Sequence, residues 1–158
     1  MGTHHRGPEN EVRALDTFIK LSRASETLGV FLSQSHAGMG LTTSQFGTLE
    51  TLFHLGPLCQ SEIGKKILRS SGNITLVIDN LEKRGLVRRE REEGDRRRVS
   101  VHLTEEGEAL IRRVFPGHAS RITEAMETLS TGEQEELGRL CRKLGKAVAD
   151  LPAKKAGE

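Results

Sequence analysis

Apolar residues recur at helical spacing along most of this chain, and one short stretch switches to strict alternation. From Glu11, the positions Val12, Leu15, Phe18 and Ile19, then Leu28, Phe31 and Leu32, trace one face of a long first helix ending near Gly38-Met39-Gly40. Thr42-x-x-Gln45 is a capping-box start for a second helix. Phe46, Leu49, Leu52 and Phe53 form its buried stripe, and Gly56-Pro57 stops it. A short third helix is expected over residues 62–68. A fourth follows the turn Arg69-Ser70-Ser71-Gly72, with Ser70 or Ser71 as its N-cap. There Ile74, Val77, Ile78 and Leu81 share a face, and Gly85 ends the helix where left-handed backbone is tolerated.

The alternation comes next. Residues 86–90 and 98–103 are expected to pair as a two-stranded ribbon with residues 91–96 at its tip. Val99, Val101 and Leu103 alternate with Ser100 and His102, the pattern of a half-exposed edge strand. Thr104 caps a fifth helix, and Glu105 and Glu106 suit its positive end. Pro116-Gly117 is expected to kink or split it. Ser130-x-x-Glu133 is a second capping box. The last helix carries Leu137, Leu140, Leu144, Val148 and Leu151, a narrow seam suited to packing against another helix. The fold class is therefore mainly α with a small β-hairpin, in one domain over residues 11–150. Residues 1–10 read as a flexible arm and residues 151–158 as a flexible tail.

Composition sharpens this outline in two places. With five Phe and no Tyr or Trp, the core must be aliphatic. The net charge of +2 says little, but its distribution is uneven. Residues 83–98 hold eight Lys or Arg against four Asp or Glu, whereas residues 104–137 hold three Arg against eight Glu. That asymmetry is expected when one face meets phosphate. No apolar run approaches a membrane span and no signal segment opens the chain, so a soluble, cytoplasmic protein is expected. Cys59 and Cys141 lie far apart without metal-ligand spacing. His36, His54, His102 and His118 form no two-His helical pair. No nucleophile elbow, phosphate loop or dinucleotide fingerprint is present. No metal, cofactor or catalytic activity is expected.

A helix followed at once by a basic hairpin is the outline of a winged helix-turn-helix, which makes double-stranded DNA the first partner to consider. Ser71, Gly72, Asn73, Thr75 and Leu76 stand at the start of the fourth helix, where a helix laid in the major groove meets base edges. Asn73 can pair with adenine, Ser or Thr can bond a base or a phosphate, and Leu76 can meet a thymine methyl. Arg91, Arg96, Arg97 and Arg98 lie in or beside the ribbon's turn, where long cations reach phosphates or a narrow minor groove. Asp95 is suited to hold an arginine by a bidentate pair, so Asp95 and Arg97 are assigned partly to stabilising the wing. The competing reading is a winged domain that docks on a protein partner without specific DNA readout.

At these residues the chain resembles the MarR family of bacterial transcription regulators. The family's wing signature, Asp-x-Arg, five residues, then Leu-Thr, stands here as Asp95, Arg97, Leu103 and Thr104. The segment from Ser71 to Val87 is similar to the family's recognition helix. The resemblance implies a homodimer built by residues 11–38 and 105–150, with residues 42–104 as the winged helix-turn-helix. It implies a repressor on a near-palindromic operator whose half-sites lie about 10 base pairs apart. It further implies release of DNA by a small amphipathic or aromatic effector. Phe18, Phe31, Phe46 and Leu49 are the candidate pocket residues, although the same stripe positions serve ordinary core packing. Cys59 stands where the family often has Ser or Thr as a helix cap, and a buried inert thiol is the expectation there. The peroxide-sensing subtype is excluded, because the first helix has no cysteine and the chain no tyrosine.

Overall fold

The protein, seen in a computed structural model, runs α1 (Glu9–Ala37), α2 (Thr43–Leu55), β1 (Leu58–Cys59), α3 (Gln60–Lys66), α4 (Ser71–Lys83), β2 (Val87–Glu92), β3 (Asp95–Leu103), α5 (Glu105–Met126) and α6 (Thr131–Ala149). The described residues are 2–68, 70–92 and 95–152, without the side chains of residues 35–37, 71, 92 and 95–98. Two compact units divide the chain, Met1–Arg121 and Ile122–Glu158.

The core of the first unit lies where α2, α3 and α4 meet the sheet and the start of α5. Leu49, Ile63, Ile74, Ile78, Leu81, Val87, Val101 and Ile111 are fully enclosed there. At about 1.5–3 kcal/mol for each such side chain, this cluster dominates the stability of the unit. Local chemistry sets the boundaries of its elements. Thr42 Oγ1 accepts from the Gln45 amide at 3.2 Å while the Thr42 amide donates to Gln45 Oε1 at 3.0 Å, closing the capping box of α2. At the end of α4, Gly85 adopts φ +69°. Its amide bonds Glu82 O at 2.9 Å, and the Leu86 amide bonds Leu81 O at 3.0 Å, a Schellman closure that turns the chain into β2.

The junction after β3 is equally specific. Thr104 Oγ1 donates to Gly85 O at 2.6 Å and accepts from the Gly107 amide at 3.0 Å, so one hydroxyl caps α5 and ties it to the turn below α4. A Cβ on Gly107 would lie 1.9 Å from Leu86 O, which only glycine avoids.

Several expectations need correction. The ribbon is part of a three-stranded antiparallel sheet in the order β1-β3-β2. β3 is therefore the central strand and not an edge: Leu58 pairs with Val101 and Cys59 with Ser100 on its other side. Ser100 is consequently buried and Val99 exposed. A two-residue strand is too short to leave an alternation in the sequence. The strands also run further, to Glu92 and from Asp95, so Arg91 belongs to β2, and Arg96 and Arg97 join Arg98 in β3. α3 starts two residues before the expected Glu62, because the Cys59 amide donates to Glu62 Oε2 at 2.9 Å and begins the helix on polar residues. It ends before Leu68, whose φ is +54°. Ser70 occupies the N-cap of α4 without a side-chain bond to it. α5 runs unbroken through Pro116, held on the core by Ile111, Val114 and His118. Cys59 is half-exposed, not buried, with Sγ 3.1 Å from Ser61 Oγ.

α1 starts at Glu9, on the carbonyl of Pro8, which accepts from the amides of Glu11 and Val12. Ahead of it His5 Nε2 lies 3.1 Å from Glu11 Oε2. In the second unit α6 opens on Ser130, whose amide donates to Glu133 Oε2 at 2.8 Å while Oγ accepts from the Glu133 amide. The Ser130 hydroxyl, which donates to Glu133 Oε2 at 2.7 Å, and then the Ser130 amide hold the Glu133 carboxyl below its ordinary pKa. No residue of α6 is buried. Among the described residues no helix is long and apolar enough to cross a membrane.

Candidate nucleic-acid interface

α4 presents two unlike faces. Ile74, Val77, Ile78 and Leu81 enter the core. Gly72 and Asn73 are exposed on the other side, Thr75 is half-buried, and Leu76 is 62% exposed. An outward leucine in the second turn of a short helix is not explained by packing. The side chain of Ser71 lies outside the described residues. A neighbour missed in the sequence is Gln60, at the start of α3, whose Nε2 donates to Thr75 Oγ1 at 2.5 Å.

The root of the hairpin is locked to the same helix. Arg89, on β2, donates to Asp79 Oδ1 at 2.6 Å and to Glu82 Oε2, and its amide donates to Glu82 Oε1 at 3.1 Å. Burial works against the charged guanidinium, but the bonds to Asp79 and Glu82 outweigh it and raise its pKa. The signal was available in the sequence. Asp79 and Glu82 are three apart and share a helical face, and Arg89 points opposite to Arg88 and Glu90 in an alternating strand. The sequence reading gave wing stabilisation to Asp95 and Arg97, whose side chains lie outside the described residues.

Arg88 and Glu90 stand on the other face of β2. Arg88 Nε donates to Glu90 Oε1 at 2.5 Å and its NH1 to Leu103 O at 3.0 Å. The bond from Arg88 holds the Glu90 carboxyl below its ordinary pKa. His102 Nε2 lies 2.9 Å from Ser100 Oγ and 3.3 Å from Glu90 Oε2, so the ribbon is cross-braced. Arg91 is exposed beyond this brace, and the side chains of Arg96, Arg97 and Arg98 lie outside the described residues. Behind α4, Arg84 donates to Gly40 O at 2.8 Å, tying the end of that helix to the α1–α2 loop.

The four candidate pocket residues are not brought together. Phe46 and Leu49 are in the core, and Phe46 packs on His118 with ring centroids 4.4 Å apart. Phe18 is 63% exposed on α1. Phe31 alone borders an open groove of about 510 Å³ with Arg23, Thr27, Val30 and Gln34. The Arg121 guanidinium stacks on the Phe31 ring at 4.1 Å and donates to Phe31 O and Gln34 Oε1. His118 was not singled out in the sequence. Its burial lowers the imidazole pKa, partly opposed by Glu50.

A core helix with an outward polar edge, joined by a carboxylate clamp to a basic antiparallel ribbon, defines the winged helix-turn-helix class of DNA-binding proteins. More narrowly, the chain belongs to the MarR family of transcription regulators, whose sequence model matches residues 41–99. YkoM of Bacillus subtilis (strain 168), an uncharacterised helix-turn-helix-type transcriptional regulator, is 36% identical over 138 residues, which are 87% of this chain and 90% of that protein. MhqR of the same organism, another helix-turn-helix-type transcriptional regulator, is 36% identical over 133 residues, covering 84% of this chain and 92% of its own. Among solved structures, one of Bordetella bronchiseptica BpsR, concerned with regulation of its DNA binding by 6-hydroxynicotinic acid, is similar with a TM-score of 0.74 at 26% identity, over 82% of this chain and 98% of that one.

Proposed function

We propose that this transcription regulator is a cytoplasmic repressor that binds a near-palindromic operator as a homodimer and leaves it when a small amphipathic or aromatic effector binds. In this reading residues 42–104 are the DNA-binding part and residues 11–38 and 105–150 the dimerising part. Ser71, Gly72, Asn73, Thr75 and Leu76 read base edges. Arg91, Arg96, Arg97 and Arg98 meet phosphates or the minor groove, and Asp95 with Arg97 shapes the wing.

The outward edge of α4 carries the reading. A polar and apolar strip on a helix otherwise sunk in the core is what base readout requires. The dimer is supported by α6, whose Leu140, Leu144 and Val148 are 47%, 49% and 55% exposed in the single chain. A second copy offers an identical seam, and two-fold pairing matches a palindrome. Effector control is supported by BpsR, whose DNA binding 6-hydroxynicotinic acid regulates. Of Phe18, Phe31, Phe46 and Leu49, Phe31 is the candidate that borders the open groove and stacks on Arg121. Such an effector acts only through unequal affinity for the DNA-competent and DNA-free states.

Selection of random duplex DNA by the full-length protein tests this. Enrichment of an inverted repeat with half-sites about 10 base pairs apart is expected. Replacing Arg96 and Arg97 together with Ala is expected to weaken binding to all duplexes and to lower the salt slope by about 1 for each phosphate no longer neutralised. An unenriched pool removes the reading and leaves docking on a protein partner.

A further inference from the structure

We propose that Gln60 is a positioning residue for operator readout: it holds the Thr75 side chain in the conformation in which that residue discriminates bases. The inference rests on the proposed readout by α4 and adds a residue from a different helix to it.

Three observations carry it. The bond joins residues 15 apart in sequence, from the first residue of α3 to the second turn of α4, and it is partly buried. It ends on Thr75, which is half-buried at the border between the core face of α4 and the exposed strip that carries Leu76. It also has a fixed polarity, since the amide nitrogen donates and the threonine oxygen accepts. A helical threonine divides between two χ1 rotamers, which place its methyl and hydroxyl differently. With Gln60 bonded to the oxygen, one placement is held before DNA arrives. A base opposite Thr75 therefore meets a defined methyl and a defined oxygen, and the ordering entropy is spent in folding and not at binding. The Gln60 backbone is itself fixed, because it follows the Cys59 amide bond to Glu62 that starts α3.

The Gln60 side chain is not needed for the core. Ile63 and Gly64 are the buried residues of α3, and Gln60 is half-exposed. Gln60→Leu, of similar volume and unable to donate, and Thr75→Val, of the same shape and unable to accept, break the same bond from its two ends.

The test compares base-preference profiles of the full-length wild type, Q60L, T75V and the double variant by selection from one random duplex library, together with the salt slope and the melting temperature of each. Loss of one hydrogen bond's worth of discrimination, about fivefold, is expected at one base step of each half-site. That step should be the same for Q60L and T75V, with no further loss in the double variant. Salt slope and melting temperature should stay close to wild type. A Q60L profile identical to wild type, or changed at a different step from that of T75V, overturns the proposal. A wild-type protein that selects no sequence defeats the DNA-readout reading itself, an outcome distinct from either of these. A uniform loss of binding in Q60L with a lowered melting temperature marks a purely structural residue and also overturns it.

Discussion

α4 and α6 both carry apolar residues at helical spacing, yet only α4 is buried by the chain that encodes it. Ile74, Ile78 and Leu81 are 1%, 0% and 0% exposed, whereas Leu140, Leu144 and Val148 on α6 remain about half exposed. Periodicity thus specifies that a face will be covered and leaves the covering partner open. In α4 the partner is local: α2, α3 and the sheet close over the face. The α6 face stands half exposed, and a symmetric second copy is the proposed partner for it.

The strongest way to break this contrast is to charge the α6 face. Leu140→Asp with Leu144→Asp is expected to give a folded monomer by sedimentation, and to weaken operator binding more than about a hundredfold because the two half-sites no longer bind as one unit. An unchanged dimer would refute the assignment of the seam. Truncation of the α4 face should act on folding instead: Ile78→Ala is expected to lower unfolding free energy by about 2–5 kcal/mol in denaturant titration. Gly107→Ala belongs with it, because the added Cβ meets backbone that has nowhere to move. A loss of about 1–3 kcal/mol is expected by the same measurement.

A smaller effect separates stability from recognition within the winged unit. Arg89→Gln removes the clamp between β2 and α4, whose carboxylates are about two-fifths exposed. With water screening both partners, the stability loss should stay near about 1 kcal/mol. Operator binding should fall further than binding to random duplex, since the ribbon and helix lose their fixed angle. Equal loss on both duplexes in a gel shift would make Arg89 a structural residue only.

The smallest effect is one of pH. His118 is buried beside Phe46 and its folded pKa is lowered, so between that value and the ordinary imidazole value of about 6.5 the unfolded chain binds more protons. Its contribution to stability is whole above that ordinary value. It declines as pH falls toward the folded pKa and is constant below it. Melting curves across this window should show a decline in the wild type that His118→Phe reduces; identical slopes would remove the assignment.

Much of the architecture was legible because it is written in short-range chemistry. The two capping boxes, the Gly85 turn and the Thr104 cap each depend on residues a few positions apart, and all four stand where expected. β1 was missed because a two-residue strand has no period to detect, and its absence made β3 look like an edge. The Arg89 clamp was overlooked although its spacing was visible, because the arginines at the ribbon's tip, Arg91 and Arg96 to Arg98, drew the functional assignment and Arg89 at its root received none. Gln60 left no signal at all: a glutamine at a helix start is ordinary, and its meeting with Thr75 depends on the packing of α3 against α4.

The sequence alone determined the order of the helices, the caps of α2, α5 and α6, the turn into the ribbon and the family, since each rests on local spacing and side-chain type. Only the tertiary structure decided which apolar faces the chain covers for itself, which arginine serves the fold, and which polar side chain stands beside Thr75. Those outcomes depend on pairings between residues distant in sequence, which arise when elements pack and leave no period behind in the chain.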